Sequence, residues 1–503
     1  MSSSAVAPQT LASIDIGSNS FRLEIGQVSP NRYKRIDYLK ETVRLGAGLD
    51  DRGVLSEEAM QRGLACLARF SQRLAGFDRA QVRAVATQTL READNREQFL
   101  ARAEAALGHP IEVISGREEA RLIYAGVARL QPSELRRLVI DIGGRSTEMI
   151  LGQGRTPLRV ESFRIGSVSL SMRYFPDGRF TEDAFRAAQI AAGAELEEAL
   201  VPFAAKHWQE ALGSSGTAGA VSEVLEASGI TDGTITAESL RWCIGQCLKA
   251  GRMDRLDLPG LKEDRRSVIG GGVAILYTLV TQFGIEALLP ARGALRQGVI
   301  FDLDERRRPA GGKPGAPQHD VREASVRELQ RRFEIDVPHA ERVSRTARAL
   351  YSAAEPQADP LLVRELGWAC ALHEIGMMVS HHVHHRHSAY LVAHVDAAGF
   401  SQSQQRRLAE LVLAQRGGLR KVEPQLEQQS FAWQTLCLRL AIIERHARDP
   451  VEGSAMSLRR EGSRAVLTVP AAWRESHPRT LFLLEEEVGA WARSGMLRLE
   501  LRA

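Results

Sequence analysis

Two short segments hold the residue types that phosphate chemistry needs. Asp15-Ile16-Gly17-Ser18-Asn19-Ser20-Phe21-Arg22-Leu23-Glu24-Ile25-Gly26 and Asp141-Ile142-Gly143-Gly144-Arg145-Ser146-Thr147-Glu148-Met149-Ile150-Leu151-Gly152 share Asp, Ile, Gly, Ser and the last Gly in register. Small residues after a strand let backbone N–H groups come close to an anion. An acid beside such a turn commonly holds a metal ion or its water, which makes Asp15 and Asp141 candidate metal residues. Glu148 stands two residues after Ser146, so at strand spacing it shares a face with Ser146 and could join Asp141 around a cation. One such turn would pass for an ordinary tight hairpin. Two matched turns favour a functional reading.

Other segments offer weaker chemistry. Gly213-Ser214-Ser215-Gly216-Thr217 precedes a helical run and is a candidate anion site, although Gly/Ser turns before helices are common. Gly270-Gly271-Gly272 opens an apolar helix, and close helix packing explains part of it. Ser115 and Glu118 have capping-box spacing, which gives Glu118 a structural task. Glu119 has none, and a carboxylate there could act as a general base on water; position alone favours a solvated surface. Eight of the 13 histidines fall between His339 and His394, among them His373, His381, His382, His384, His385 and His387. A metal cluster is one reading of that run. Consecutive histidines cannot all point one way, so a polar loop or helix end is preferred.

Each Asp-Ile-Gly turn follows an apolar run (11–14 and 138–140) and precedes an alternating one, which is the pattern of a strand hairpin with room for a ligand at its tip. The flanks alternate strands (82–87, 111–114) with helical patterns, as α/β layers do. Two similar α/β domains facing across a cleft are expected, at 1–128 and 129–305, and a charged Gly/Pro linker at 306–319. Residues 320–449 read as helical throughout, with helices at 326–333, 340–353, 361–379 and 404–414. Residues 450–503 read as a small α+β domain: strand 464–470, helix 480–494, strand 497–501.

The chain's size and composition fit several soluble domains. It has 503 residues, 44% hydrophobic and 25% charged, and no apolar run of the ~20 residues that a membrane span needs. Met1–Thr10 lacks a basic start and an apolar run, and reads as a short disordered arm rather than a secretory signal. Five scattered cysteines suit a reducing cytoplasm and complete no zinc motif. A net charge of +4 is too balanced to argue for nucleic acid.

Taken in order, these motifs resemble the exopolyphosphatase/guanosine pentaphosphate phosphatase family. The resemblance runs from Asp15–Arg22 through Ala86–Asn95, Ser115–Tyr124, Val139–Glu148, Gly213–Thr217, Leu258–Leu261 and Gly293–Val299. It continues into Leu372-His373-Glu374-Ile375-Gly376 and His385–Tyr390, which makes the chain most like the long proteobacterial exopolyphosphatase. It implies two actin/Hsp70/sugar-kinase-like domains, then an all-α HD-like domain and the small α+β domain.

The resemblance also implies site residues. Glu119 would be the catalytic base, and Asp141 and Glu148 would support catalysis and Mg2+ or another divalent cation. Gly17, Ser18, Asn19, Ser20, Gly143, Gly144, Arg145, Ser146 and Thr147 would cradle the terminal phosphates, with Arg22 and Arg91 lining the same cleft. Arg265 and Arg266 are weaker candidates. Two positions depart from the family pattern: Arg145 replaces a third glycine, and Glu374 replaces the Asp that follows the HD-type His.

The implied activity is stepwise release of orthophosphate from linear polyphosphate. The alternatives are 5′-phosphate hydrolysis of guanosine pentaphosphate (pppGpp) or both activities, a kinase or ATPase of the same fold, and a non-catalytic polyphosphate or alarmone sensor. A cytoplasmic homodimer, in peripheral contact with a membrane at most, is the expected setting.

Overall fold

The computed structural model describes residues 9–29, 32–308, 320–448 and 453–502. The chain divides into two compact units, Met1–Asp320 and Val321–Ala503. Residues 1–8 of the expected arm and 309–319 of the expected linker lie outside the described residues, whereas Gln9 and Thr10 open the first strand.

The first unit holds two five-stranded sheets of the same topology. One contains β1 (Gln9–Ile16), β2 (Phe21–Ser29), β3 (Arg32–Glu41), β4 (Val82–Ala86) and β5 (Ile111–Val113), in the order β3-β2-β1-β4-β5. The other contains β6 (Arg136–Ile142), β7 (Thr147–Gln153), β8 (Thr156–Phe163), β9 (Glu210–Ser214) and β10 (Leu288–Pro290), in the order β10-β9-β6-β7-β8. In each, the first three strands form an antiparallel meander and the last two run parallel to the first strand. The central strands are covered on both faces, so they read as nearly unbroken apolar runs. The edge strands β3 and β8 are exposed or half-buried along most of their length, as strands at a sheet's edge are.

Two helices lie between the sheets. Gly116–Leu130 begins at Ser115, whose side chain accepts the Glu118 N–H at 3.1 Å. It buries Leu122, Ile123 and Val127 in a core shared with Val85 of the first sheet and Val139 and Ile150 of the second. Leu295–Arg307 crosses it closely: a Cβ on Gly298 would lie 1.7 Å from the Leu122 carbonyl oxygen. The same helix packs Ile300 and Phe301 against Leu11 and Val28 of the first sheet. Its Asp302 is buried among Arg83 (2.7 Å), Arg121 (2.6 Å) and Arg306 (2.5 Å). Removing one member of such a buried group costs about 3–5 kcal/mol. The boundary expected at 128/129 therefore falls inside a helix, and the last helix of the second half returns to the first sheet.

The second unit is helical up to residue 448, and then holds a three-stranded sheet of β11 (Ser457–Glu461), β12 (Arg464–Thr468) and β13 (Arg498–Arg502). A continuous apolar core joins helices and sheet, from Val326 and Leu366 to Leu467 and Trp491. Arg439 on the helix Gln429–Glu444 meets Glu487 on the helix Pro478–Ser494 through two bonds of 2.6 Å, so the parts expected at 320–449 and 450–503 share one interior. The helix expected over 361–379 ends at Leu372, and a 3-10 turn, Ile375–Met378, follows it. The chain turns there because Gly376 lies against the Ser388 backbone and donates its N–H to the Ser388 hydroxyl at 2.8 Å.

Candidate active site between the two sheets

The two Asp-Ile-Gly segments are the β1–β2 and β6–β7 hairpins, and their turns line one cavity of about 470 Å3. Gly17, Ser18, Asn19, Ser20, Gly143, Gly144 and Ser146 are at its wall, together with Asp15, Asp141 and Glu119. The Asn19 Nδ2 and Ser20 Oγ atoms are buried there without a hydrogen-bond partner among the described residues. Unpaired donors in a cavity wall suit an anionic ligand, because leaving them unmet costs about 1–3 kcal/mol each.

The two hairpins differ at one decisive pair. In the first, Asp15 stands opposite Arg22, whose Nη1 donates to Asp15 Oδ2 at 3.0 Å. In the second, Asp141 stands opposite Glu148. Glu148 is fully buried; Oε1 accepts from the Ser162 hydroxyl at 2.9 Å, and Oε2 has no partner among the described residues. Glu119 approaches from the first turn of the Gly116–Leu130 helix, and Arg91 Nη1 holds its Oε2 at 2.8 Å.

Burial, reinforced by neighbouring acids, raises all three carboxyls. It pushes Glu119 up to about 7 against the pull of Arg91. It pushes Asp141 up to about 6 against the hydroxyls of Ser214 and Ser215 and the charge of Arg22. Glu148 rises well above the carboxylate range through burial and the charges of Glu119 and Asp141. Acids held at such a cost, one with an orphaned oxygen, fit a divalent cation.

Asp15, Asp141 and Glu148 are not gathered as a three-ligand group, however. Among the described residues, the group close enough to share one ion directly is His339, His373 and Glu374. Asp15 is held by Arg22. Magnesium needs no such group, because it is commonly bound by one or two carboxylates, with water and substrate phosphate completing its shell.

Several expected phosphate residues occupy other places. Arg145 does not line the cavity. Its Nε donates to Glu92 at 2.8 Å and its Nη1 to the Gly46 carbonyl at 3.1 Å, so it ties the second hairpin to the first half of the unit. Arg91 stands behind Glu119, and it also holds the Ile114 carbonyl at 3.0 Å. The Thr147 hydroxyl is spent on the Ile165 carbonyl at 2.6 Å. Within 213–217, Ser215 and Gly216 line the cavity, while Gly213 lies in β9. The Ser214 hydroxyl serves the Gly293 carbonyl, and the Thr217 hydroxyl the Ile142 carbonyl. The Arg265 guanidinium lies directly over Gly216, where a Cβ would stand 1.9 Å from Nη2 and would push that side chain aside. The glycines at 270–272 pack against Phe175, Phe180 and the Ser167–Tyr174 helix.

Six further cations line the wall, Arg35 and Lys40 from β3, Lys262 and Arg265, then Arg292 and Arg296, among neutral residues such as Thr87, Ser167 and Gln297. Sequence reasoning did not single out Arg35, Tyr38 and Lys40; 35 and 38 are out of step in a regular strand, and the register shift of β3 opposite Ile25/Gly26 is not visible in the spacing. Arg296 lies 5.2 Å above the Tyr38 ring, and buried Glu24 accepts from its Nε at 3.3 Å. Burial and the nearby Arg22 charge push Arg265 below the usual guanidinium range. Crowded cations opposite buried acids make a site for a polyanion whose reacting end lies at the acids and whose remainder lies along the basic wall.

Comparison with known proteins agrees with this architecture. The Ppx/GppA phosphatase family profile matches residues 25–307, and its domain III profile matches residues 321–488. The chain is 37% identical over 484 residues to a guanosine-5′-triphosphate,3′-diphosphate pyrophosphatase of Photobacterium profundum, covering 95% of each chain. A protein of the same name from Vibrio cholerae is 35% identical over 494 residues, covering 96% of this chain and 97% of that one. An exopolyphosphatase crystal structure from Cytophaga hutchinsonii superposes with a TM-score of 0.54 at 26% identity, over 59% of this chain and 98% of that one. A family member from Aquifex aeolicus gives 0.50 at 26% identity, over 60% and 100%.

Proposed function

The chain belongs to the Ppx/GppA phosphatase family, and on that premise we propose that it hydrolyses the terminal 5′-phosphate of pppGpp, giving ppGpp and orthophosphate. One observation carries the choice of substrate: the similarity to guanosine-5′-triphosphate,3′-diphosphate pyrophosphatases spans both units, 95% of each chain. The sequence reading put polyphosphate first, and the full-length relatives reverse that order. Polyphosphate hydrolysis stands as the second reading, supported by likeness to an exopolyphosphatase over 59% of the chain.

In the proposed mechanism the terminal phosphoryl lies between the two hairpin turns. Asp141 at the cavity wall, with Glu148 buried across the strands from it, would hold a divalent cation; the ion would neutralise charge on the phosphoryl oxygens. Glu119 takes a proton from water as the water oxygen bonds to phosphorus and the bond to the bridging oxygen breaks. The electron pair leaves on the ppGpp phosphate, facing Arg22 and the basic wall. Arg91 fixes the Glu119 carboxylate through its 2.8 Å bond. A base raised to about 7 is matched to proton transfer near neutral pH. Placement and charge neutralisation supply most of the catalysis in phosphoryl transfer.

The proposal includes a cytoplasmic location, where the five free, buried cysteines stay reduced, and a homodimer, which light scattering would test. No helix among the described residues is long and apolar enough to cross a membrane.

The test is orthophosphate release with Mg2+ from pppGpp and from long-chain polyphosphate, at equal terminal-phosphate concentration. Faster release from pppGpp is expected. The reverse order would establish the second reading, and binding of either without turnover would make the protein a sensor. Glu119→Gln should lower kcat at least ~10²–10⁴-fold with binding kept, as loss of a general base does.

A further inference from the structure

We propose that Gln88 and Glu92 are positioning residues, which orient the general base through Arg91 and tie that orientation to the second hairpin through Arg145. The inference rests on Glu119 as the base of the reaction proposed above, and adds how that base is held. Arg91 is gripped on both sides of its guanidinium. Nε and Nη2 donate to Gln88 Oε1, at 2.8 and 2.5 Å. Nη1 donates to the Ile114 carbonyl at 3.0 Å and to Glu119 Oε2 at 2.8 Å. A planar fork pinned on two sides keeps one orientation. Glu119 Oε2 is thereby engaged, and Oε1 is left to accept from water.

Gln88 suits its place because its amide has two unlike ends. Oε1 accepts from Arg91, and Nε2 donates to Glu92 Oε1 at 2.6 Å. The flipped amide would turn its NH2 on the guanidinium and its oxygen on the carboxylate, so the surroundings force the orientation. Glu92 accepts at both oxygens, since Oε2 takes the Arg145 Nε bond at 2.8 Å. The contacts therefore run without a break from Arg145 through Glu92, Gln88 and Arg91 to Glu119. Gln88 is buried, where a chain of hydrogen bonds strengthens its members.

The far end of this relay lies where the two phosphate turns meet. A Cβ on Gly144 would stand 3.0 Å from the Ser18 Cβ. Thr89 shares the Gln88–Glu92 helix and donates its hydroxyl to the Ser18 hydroxyl at 2.7 Å. Arg145 also holds the Gly46 carbonyl at 3.1 Å, and the Gly46 N–H donates to the Ser18 carbonyl at 2.7 Å. Both turns are thus fastened to the segment that grips Arg91. Gln88, Arg91, Glu92 and Arg145 do not line the cavity. A relay that touches no substrate acts on the alignment of base and phosphoryl, and so on kcat rather than on KM.

The test measures kcat and KM for orthophosphate release by the full chain with Mg2+, from pppGpp and from polyphosphate, at a temperature where thermal unfolding shows each variant folded. Gln88→Ala should lower kcat about 10–100-fold, with KM within about threefold of wild type. Arg145→Ala should lower kcat about three- to tenfold on its own, and by less than about twofold on top of Gln88→Ala, because the relay is already cut. Gln88→Glu alone sets two carboxylates face to face, and Glu92→Gln alone turns an NH2 on a donor, so each should lower kcat about tenfold. Made together, these two changes rebuild the chain: the carboxylate accepts from Arg91 and from the amide, and the amide oxygen accepts from Arg145. The exchanged pair should recover kcat to within about threefold of wild type. Should Gln88→Ala fail to fold, the exchange decides. Full kcat in Gln88→Ala overturns the relay, as do losses carried by KM, losses that multiply with Arg145→Ala, or an exchanged pair no better than its single members. Turnover of polyphosphate alone overturns the pppGpp reading and leaves the relay to be read on polyphosphate. Glu119→Gln at the wild-type rate, or no turnover of either substrate by the wild type, overturns the relay together with the base.

Discussion

The two hairpins are built on one plan and charged on opposite plans. Both sheets have the same strand order, and both hairpins bring an Asp to the same cavity. Seven residues later the first copy has Arg22 and the second has Glu148, each paired across the strands with its Asp. The first hairpin therefore neutralises its acid from within. The second accumulates buried negative charge that asks for a cation from outside. The lesson is that the loop sets where phosphate can lie, while the cross-strand partner sets what chemistry occurs there.

The largest effect should come from erasing this difference. Glu148→Arg rebuilds the second hairpin in the image of the first, with Asp141 paired to a guanidinium. Phosphate release should fall by at least ~10³-fold, and stimulation by Mg2+ should disappear. An arginine at this fully buried position should also lower Tm, so the activity is read at a temperature where thermal unfolding shows the variant folded. Activity within tenfold of wild type would show that the asymmetry has no catalytic role.

The converse change is smaller. Arg22→Gln leaves Asp15 unpaired and removes one cation from the wall, so KM should rise about 10–100-fold, with a smaller change in kcat. Equal losses in both would instead place Arg22 on the transition state.

The acids also predict a pH dependence. With Glu119 raised to about 7, kcat/KM should fall about tenfold per unit below that pH, because the base must be deprotonated. The stability sign is the opposite of a paired carboxylate's. A folded-state value above the unfolded one makes the folded chain bind more protons between about 4.5 and 7, so stability falls as pH rises through that window. The metal-free protein should lose up to about 3 kcal/mol there, and saturating Mg2+ should flatten the slope. A metal-free unfolding curve independent of pH would contradict the assignment.

The smallest effect belongs to Arg145→Ala. Its pair with Glu92 is partly exposed, so about 1 kcal/mol or less is at stake. Activity should change by less than about tenfold, unless Arg145 leaves Glu92 to reach phosphate.

Much of this was legible in the sequence. The repeat placed both hairpins because small residues and an Asp at matched spacing have one geometric meaning. It also contained the Arg22/Glu148 contrast in register. Arg145 was read as a phosphate residue because loop position does not tell which way a long side chain turns; Glu92 and the Gly46 carbonyl decide that. Arg35, Tyr38 and Lys40 reach the same cavity across an irregular register of β3, and the odd spacing from 35 to 38 hides that shared face from the sequence. Glu148's orphaned oxygen is a fact of three-dimensional packing that no spacing reveals.

The return of the Leu295–Arg307 helix to the first sheet has a consequence in time. Leu11 and Val28 are covered by Ile300 and Phe301, so this patch of the first sheet stays bare until about 300 residues have been made. At ~5–20 residues per second that wait lasts roughly 15–60 s. The segment synthesised first is thus among the last to be completed, and the nascent chain is expected to need its protection there.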